Sequence, residues 1–448
     1  MISLIGLISA VILLIYLTMR GINIIIAAII CSVFVAITGG LSLEEALMDN
    51  YMTGFTNYFA SWFLVFLLGA IFGKIMQETK SAESIAQWIK RTIGEKQAVL
   101  AIVAAAAIMT YGGISMFVVG FAIYPIAVSL FRAANLPHRF IPSALVFGSI
   151  SFTMTSPGSP EIQNIIPTKF FNTTPTAGGW IGVVIGLLIM ITGSFWLHLL
   201  VKRAVQQGES FSPPYVLPNR AETETSAGLA EDPKPLGKVK ADELPHIIIS
   251  IIPLFLVIAI LNILSQFMNT ITALLIAMLV GIFVACITMQ RFLRSFWDSL
   301  AIGTQNALVA IANTCGVVGF GSVAAQVSTF DQLVNGLVDL PGPPLLGLAL
   351  GVTIICALTG SASGGLGIAL PVLAPIYLNQ GLDPGAMHRV AALGSGGLDS
   401  MPHNGYVVTT VRTICRETHK RAYKPILYLS VILPTIAMLL AVILYTIF

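Results

Sequence analysis

Residues 98–131 read AVLAIVAAAAIMTYGGISMFVVGFAIYPIAVSLF, and this stretch decides the fold. Its 34 residues carry no charge. That is long for one bilayer-crossing helix of about 20 residues and short for two. The helix-breaking run Tyr111-Gly112-Gly113-Ile114-Ser115 falls at its middle. Lys90, Arg91 and Lys96 precede it, and Arg132 and Arg139 follow it. Lys and Arg accumulate on the cytoplasmic side of a membrane, so the chain should enter and leave on the same side, as a re-entrant hairpin. Residues 345–378, LLGLALGVTIICALTGSASGGLGIALPVLAPIYL, have the same length and break at Thr359-Gly-Ser-Ala-Ser-Gly-Gly365. Unwound backbone at membrane depth is tolerated only where protein or a watery cavity satisfies it. The alternative, two long, tilted, Gly-rich helices, breaks the charge rule.

The rest of the chain fits this setting. Of 448 residues, 56% are hydrophobic and 10% charged, with a mean hydropathy of +0.89. A soluble domain carries about 25% charged residues, which excludes a soluble enzyme, a nucleic-acid binder or a disordered tail. Apolar runs of spanning length recur from end to end, so the expected class is an all-α polytopic membrane protein. The net charge of +3 predicts no partner. Cys31, Cys286, Cys315, Cys356 and Cys415 are scattered singly, without zinc or disulfide spacing. Ile2 to Met19 reads as a retained span, because no basic residues precede it and no small-residue cleavage site follows.

One long polar stretch, 206–245, reads as a cytoplasmic linker loop and divides the chain into halves 1–205 and 246–448. Spans are expected at about 2–19, 22–38, 59–77, 140–168 and 178–200, then 246–264, 270–288, 297–325, 390–415 and 425–448. Each half then holds three spans, a hairpin and two spans, in opposite orientations: two inverted repeats with about 10 spanning helices. With both termini outside, 21 of the 23 basic residues lie inside, leaving only Lys169 and Arg389 outside. The segment 78–97 reads as an interfacial cytoplasmic helix. Trp62, Trp180 and Trp196 read as interface anchors or packing residues.

The polar residues of the apolar core gather in four places. Two are the hairpin tips. The others interrupt the helix after each hairpin: Ser151-Phe-Thr-Met-Thr-Ser-Pro-Gly-Ser-Pro-Glu161, continuing to Asn164, and Gly394-Ser-Gly-Gly-Leu-Asp-Ser-Met-Pro-His-Asn-Gly405. Pro and Gly free backbone groups at mid-span, and half-helix N-termini attract anions such as carboxylates. Freed carbonyls and hydroxyls suit cations or substrate hydroxyls equally well. Glu161, Asp399 and His403 are the chief ionisable residues in the expected interior, where a carboxylate costs about 2.5–3.5 kcal/mol and usually has a role or a partner. Asp399 and His403 are placed to share a proton or to bind substrate hydroxyls. The structural alternative has Asp399 cap the following half-helix. His198, His246 and His419 read as bystanders.

These clusters resemble the gluconate/proton symporter family. The motifs are Phe152-Thr-Met-Thr-Ser-Pro-Gly-Ser-Pro-Glu-Ile-Gln-Asn164, Thr173-Thr-Pro-Thr-Ala-Gly178, and Asp399-Ser-Met-Pro-His-Asn-Gly405 with Thr418-His-Lys420. The resemblance spans nearly the whole chain. It implies a homodimeric transporter with a scaffold and an elevator-like transport domain, whose hairpin tips and broken helices cradle a carboxylate. Carried over by position, the substrate-binding candidates are Gly112, Gly113 and Ser115 of the first tip and Thr155, Ser156, Gly158, Ser159 and Asn164 of the first break. In the second half they are Ser361, Ser363, Gly364, Ser400, His403 and Asn404. Asp399, Glu161 and His403 are the proton-coupling candidates. The family's substrates are gluconate, sugar acids and short hydroxy acids, and the chain looks most like 3-hydroxybutyrate permeases. Its Tyr111–Phe117 tip departs from the Phe-rich tip of gluconate permeases. The expected function is proton-coupled import of a small organic anion across the cytoplasmic membrane, with no cofactor, metal or nucleic acid. Sodium coupling in the same architecture is the main alternative. An intramembrane enzyme or a passive channel ranks below it.

Overall fold

A computed structural model describes residues 2–20, 22–94, 97–212, 244–327, 330, 332, 336 and 340–448. Most of the expected linker, 213–243, and Lys96 therefore lie outside the described residues. Among the described residues the chain is helical throughout, without strands. The helices are α1 (Ile2–Met19), α2 (Ile24–Gly39), α3 (Met52–Glu78), α4 (Ser81–Ile93), α5 (Ala98–Tyr111), α6 (Met116–Ala133), α7 (Ile141–Val146), α8 (Ile162–Phe171) and α9 (Gly179–Gln206). The second half supplies α10 (Ile247–Leu264), α11 (Thr270–Thr288), α12 (Phe296–Ala324), α13 (Pro344–Thr359), α14 (Ala362–Asn379), α15 (Pro384–Ser395), α16 (Gly405–Val408), α17 (His419–Ile426) and α18 (Leu433–Ile447). Wide π-type turns extend α7 over 147–151 and α16 over 409–414, and join α17 to α18 over 427–432.

Eight helices among the described residues are long and apolar enough to cross a membrane. They are not simply eight of the ten that the sequence suggests. The expected spans at 140–168 and 390–415 are each cut in two by their polar breaks, and the apolar helices at 2–19 and 22–38 are shorter than spanning length, whereas the second hairpin legs, α6 and α14, are long enough to be counted.

Both 34-residue stretches are helical hairpins. The first legs, α5 and α13, have 14 and 16 residues, roughly 21 and 24 Å of helix, short of the ~30 Å hydrocarbon core. In the first hairpin Gly113 turns the chain at φ +89°, a conformation that L side chains rarely adopt. The two feet of this hairpin lie at one end of the molecule. There Lys90 Nζ donates to Ser129 Oγ (3.2 Å), Ser84 Oγ donates to the Pro245 carbonyl (2.7 Å) and Arg139 meets Glu209 (2.7 Å). In the second hairpin Gly365 lies directly against Cys356, so the legs run back along each other. The foot of α14 leads through the Asp383 cap of α15 to the opposite end, where Gly385 lies against Gly178. The hairpins thus enter from opposite ends.

Around them, α3 and α12 pack along each other, with α11 against α3 and α2 against α12. Glycines set the closest approaches: a Cβ at Gly303 would lie 2.9 Å from the Ile71 backbone, and one at Gly319 would lie 2.9 Å from Tyr51. Such small residues drive helix association where lipid offers no hydrophobic gradient. The expected interfacial segment is α4, a 13-residue helix with Ile85, Ala86 and Ile89 buried and Trp88 exposed.

Candidate functional site

The first break begins where the π turn ends, at Phe152, and runs to the start of α8. Pro157 and Pro160 withhold N–H groups, and Gly158 sits at φ +81°. Other elements take up the freed carbonyls. Tyr111, the last residue of α5, donates its hydroxyl to the Pro157 carbonyl (2.6 Å), and Asn262 of α10 donates to that of Gly158 (3.0 Å). The first hairpin tip is therefore tied to the break of its own half.

The second half repeats this arrangement. Asn404 accepts from Val407 N–H (2.9 Å), capping α16, and donates to the Gly360 carbonyl at the second tip (3.2 Å). His403 Nε2 donates to the Ala357 carbonyl (3.1 Å). Gly360 adopts φ +61°, and a Cβ there would overlap the His403 ring. Each tip thus packs on its own break, and the two breaks meet where a Cβ at Gly396 would come within 2.7 Å of Thr155 Cγ2. Phe117, just beyond the first tip, stacks edge-on against Tyr406 of α16 (5.5 Å).

The predicted residues fall into distinct groups. Asp399 is 6% exposed and accepts from Ser400 Oγ (2.9 Å), while Tyr423 donates to the Ser400 carbonyl (3.1 Å). Asp399 does not cap the following half-helix, because Asn404 does. Nor does it bond His403, whose ring is taken by the second tip. Of the four expected half-helix N-termini, the two in the second half are already capped by side chains, since Ser361 accepts from Gly364 N–H (3.2 Å) and Asn404 caps α16. Ser363 offers its carbonyl to Tyr58 (3.4 Å). The two in the first half carry no side-chain cap: Ser115 before α6 and Glu161 before α8.

Ser156 Oγ turns back to the Phe152 carbonyl (2.5 Å), and Ser159 Oγ accepts from Glu161 N–H (3.3 Å). Asn164 is fully engaged within the protein. It donates to the carbonyls of Ser159 (2.8 Å) and Pro175 (2.9 Å), and its Oδ1 accepts from His388 (3.1 Å). The Thr155 hydroxyl is buried without a hydrogen-bond partner.

Two arginines that the charge count assigned to opposite sides, Arg139 and Arg389, each follow a histidine that reaches a distant link. Arg389 is no outer-surface base but fully buried, 0% exposed. With His388 it lies in the first half of α15, and His138-Arg139, 250 residues earlier, lies in the turn just before α7. His388 bonds Thr173 (2.6 Å), and Arg389 bonds the Pro175 and Ala177 carbonyls (3.2 and 2.8 Å), all in the link after the first broken helix. Reciprocally, His138 pairs with Glu417 (2.9 Å) in the link after the second broken helix, both side chains 0% exposed. Arg139 forms a two-pronged pair with Glu209 and holds that carboxyl below its ordinary range. The repeated His-Arg pair, and its recurrence after a proline, was a legible signal that hydropathy reading passed over.

A cavity of about 250 Å³ lies beside the start of the first break, lined by Leu100, Val103, Ala104, Ala107, Phe152, Met190, Ile191 and Ser194. Its walls are almost wholly apolar, so it suits a lipid chain rather than an anion.

The family profile described as GntP family permease matches residues 2–447. The chain belongs to the GntP permease family. This GntP permease is 33% identical over 447 residues to the uncharacterized transporter YxjC of Bacillus subtilis (strain 168), covering 94% of each chain. It is 25% identical over 346 residues to the inner membrane permease YgbN of Escherichia coli (strain K12), covering 72% of this chain and 73% of that one. A looser likeness, TM-score 0.49 at 16% identity, links 90% of this chain to 88% of the YdaH transporter of Alcanivorax borkumensis. The protein is thus a multi-pass membrane permease for a small molecule.

Proposed function

We propose that this permease is a secondary active importer of a small hydroxy-carboxylate, such as 3-hydroxybutyrate or a gluconate-type sugar acid, moved together with protons. The observation that supports this reading best is the meeting of the two broken helices at Thr155 and Gly396, with both hairpin tips tied to them and buried Asp399 in the second break. Uncapped N–H groups at Ser115 suit an anionic head. A neutralisable carboxylate suits a proton. The halves 1–205 and 246–448, joined by 206–245, act as inverted repeats in this reading, and the reciprocal His-Arg contacts support it. Both termini lie outside the cytoplasmic membrane, two copies form a dimer, and the hairpin–break assembly moves as an elevator against the α3–α12 pair.

The test is uptake of labelled 3-hydroxybutyrate, gluconate and related hydroxy acids into proteoliposomes, with a pH gradient and a sodium gradient imposed separately. Accumulation driven by the pH gradient without sodium supports the reading. Accumulation that requires sodium replaces the proton with Na⁺. Transport of none of the hydroxy acids removes the substrate class.

A further inference from the structure

The predicted binding residues contain no cation, yet a carboxylate must enter a site that already holds Asp399. The largest fully buried side chain among the described residues supplies what is missing. Arg389 carries a positive charge and forms no ion pair with any described acidic residue. The nearest carboxylate in sequence, Asp383, is engaged in capping α15 through Ala386 N–H (2.7 Å). Nε and Nη2 of Arg389 both bond the Ala177 carbonyl, Nη2 also bonds that of Pro175, and Nη1 bonds that of Thr155. All of these acceptors are neutral, so the buried charge is solvated but not cancelled, and in a low-dielectric interior it draws anions strongly.

Those bonds use four of the five N–H groups of a guanidinium, which leaves one on Nη1. The residue bonded to that Nη1, Thr155, carries the buried hydroxyl that has no partner. A free N–H and a free O–H thus belong to two groups already joined to each other. A carboxylate, with two acceptor oxygens, fits such a donor pair. The surroundings are shaped to admit the arginine. A Cβ at Gly178 would lie 2.5 Å from Arg389 Cβ, and one at Gly182 would lie 3.1 Å from Arg389 Nε.

We propose that Arg389, together with the Thr155 hydroxyl, forms the carboxylate subsite of this permease at the crossing of the two broken helices. The substrate's carboxylate takes one oxygen to Arg389 Nη1 and the other to Thr155 Oγ1. This deepens the proposed function and rests on the substrate being a carboxylate.

The experiment uses full-length protein in proteoliposomes and detergent. Labelled 3-hydroxybutyrate, or the hydroxy acid that wild type transports best, is competed against its neutral amide analogue. Thr155→Val removes a hydroxyl that bonds nothing in the protein, so folding and melting temperature should hold while KM for the carboxylate rises about tenfold. Thr155→Ser should restore it. Arg389→Gln keeps donors for the loop carbonyls but removes the charge. Carboxylate affinity should fall about 100-fold or more, while affinity for the neutral amide changes less than threefold. An unchanged KM in Thr155→Val overturns the hydroxyl's part. Equal losses for acid and amide in a folded Arg389→Gln make Arg389 a structural clamp and overturn the proposal, with wild-type uptake intact. Wild type that transports no carboxylate defeats the underlying reading and this inference with it. Should Arg389→Gln fail to fold, the Thr155 series and Arg389→Lys, which must keep preference for the acid, decide the matter.

Discussion

Asn404 is the residue on which the second half of the site hangs, and its substitutions should separate two contributions. Its Oδ1 caps α16 through Val407 N–H at 2.9 Å, and its Nδ2 donates to the Gly360 carbonyl at 3.2 Å, in a position only 7% exposed. Loss of an N-cap costs about 1 kcal/mol. A carbonyl orphaned in a buried setting costs about 1–3 kcal/mol. Asn404→Ala should therefore destabilise by about 2–4 kcal/mol. Asn404→Ser should recover about 1 kcal/mol by restoring the cap alone. Asn404→Asp is the informative case. Aspartate is as good an N-cap as asparagine, yet it cannot donate to Gly360 and sets a carboxylate beside that carbonyl, so it should fall below Asn404→Ser. Equilibrium unfolding in mixed detergent micelles measures the order, with uptake assayed in parallel. If Asn404→Asp matches wild type, or Asn404→Ala costs under about 0.5 kcal/mol, the tie between the second tip and its break is not what holds this region.

Three further outcomes are expected. Asp399→Asn should keep substrate counterflow but lose accumulation driven by a pH gradient; normal concentrative, pH-dependent uptake would move the proton site to Glu161 or His403. Glu417→Ala removes one of the two hydrogen-bond partners of buried His138, leaving Tyr124, and should cost about 1–3 kcal/mol, whereas Glu417→Gln keeps an acceptor and should cost less; equal effects by thermal unfolding would refute the His138–Glu417 contact as a stabilising tie. In α4, burial pushes the Glu83 carboxyl up to about 7, and its Oε2 has no partner. A carboxyl raised in the folded state holds its proton longer than in the unfolded chain, so stability should decline as pH rises from the ordinary carboxylate range to about 7. Glu83→Gln should flatten that decline, and a melting curve as steep as that of wild type between pH 5 and 8 would contradict the assignment.

Much of the architecture was legible because its causes are local. Apolar runs of spanning length, glycines and prolines at mid-run, and the distribution of lysine and arginine are properties of neighbouring residues. They located both hairpins, both breaks and the separate helix α4. The Gly112–Ser115 turn was placed to the residue. The second tip is narrower than the 359–365 run suggests: Gly360 alone takes the left-handed turn, Ser361 caps, and Ser363 to Gly365 are already helical. A cap that satisfies its own helix removes the need for a longer break.

What the sequence could not reveal are pairings across large separations. The charge count places Arg389 on the outer side, as one of two exceptions to the inside bias. The fold buries it instead, against carbonyls more than 200 residues away. Asp399 and His403, four residues apart, looked like partners, but the second tip takes the histidine and Asn404 takes the cap. Whether a freed N–H awaits a ligand or is already occupied depends on which side chain the packing brings to it. Composition and periodicity therefore determined that this is a helical membrane protein with two hairpins and two broken helices. Only the tertiary structure decided which of its polar groups are engaged within the protein and which, like the Thr155 hydroxyl, are left open. Burial in a medium without water makes an unpaired polar group costly, so most such groups are paired wherever in the chain the partner lies, and one left open stands out.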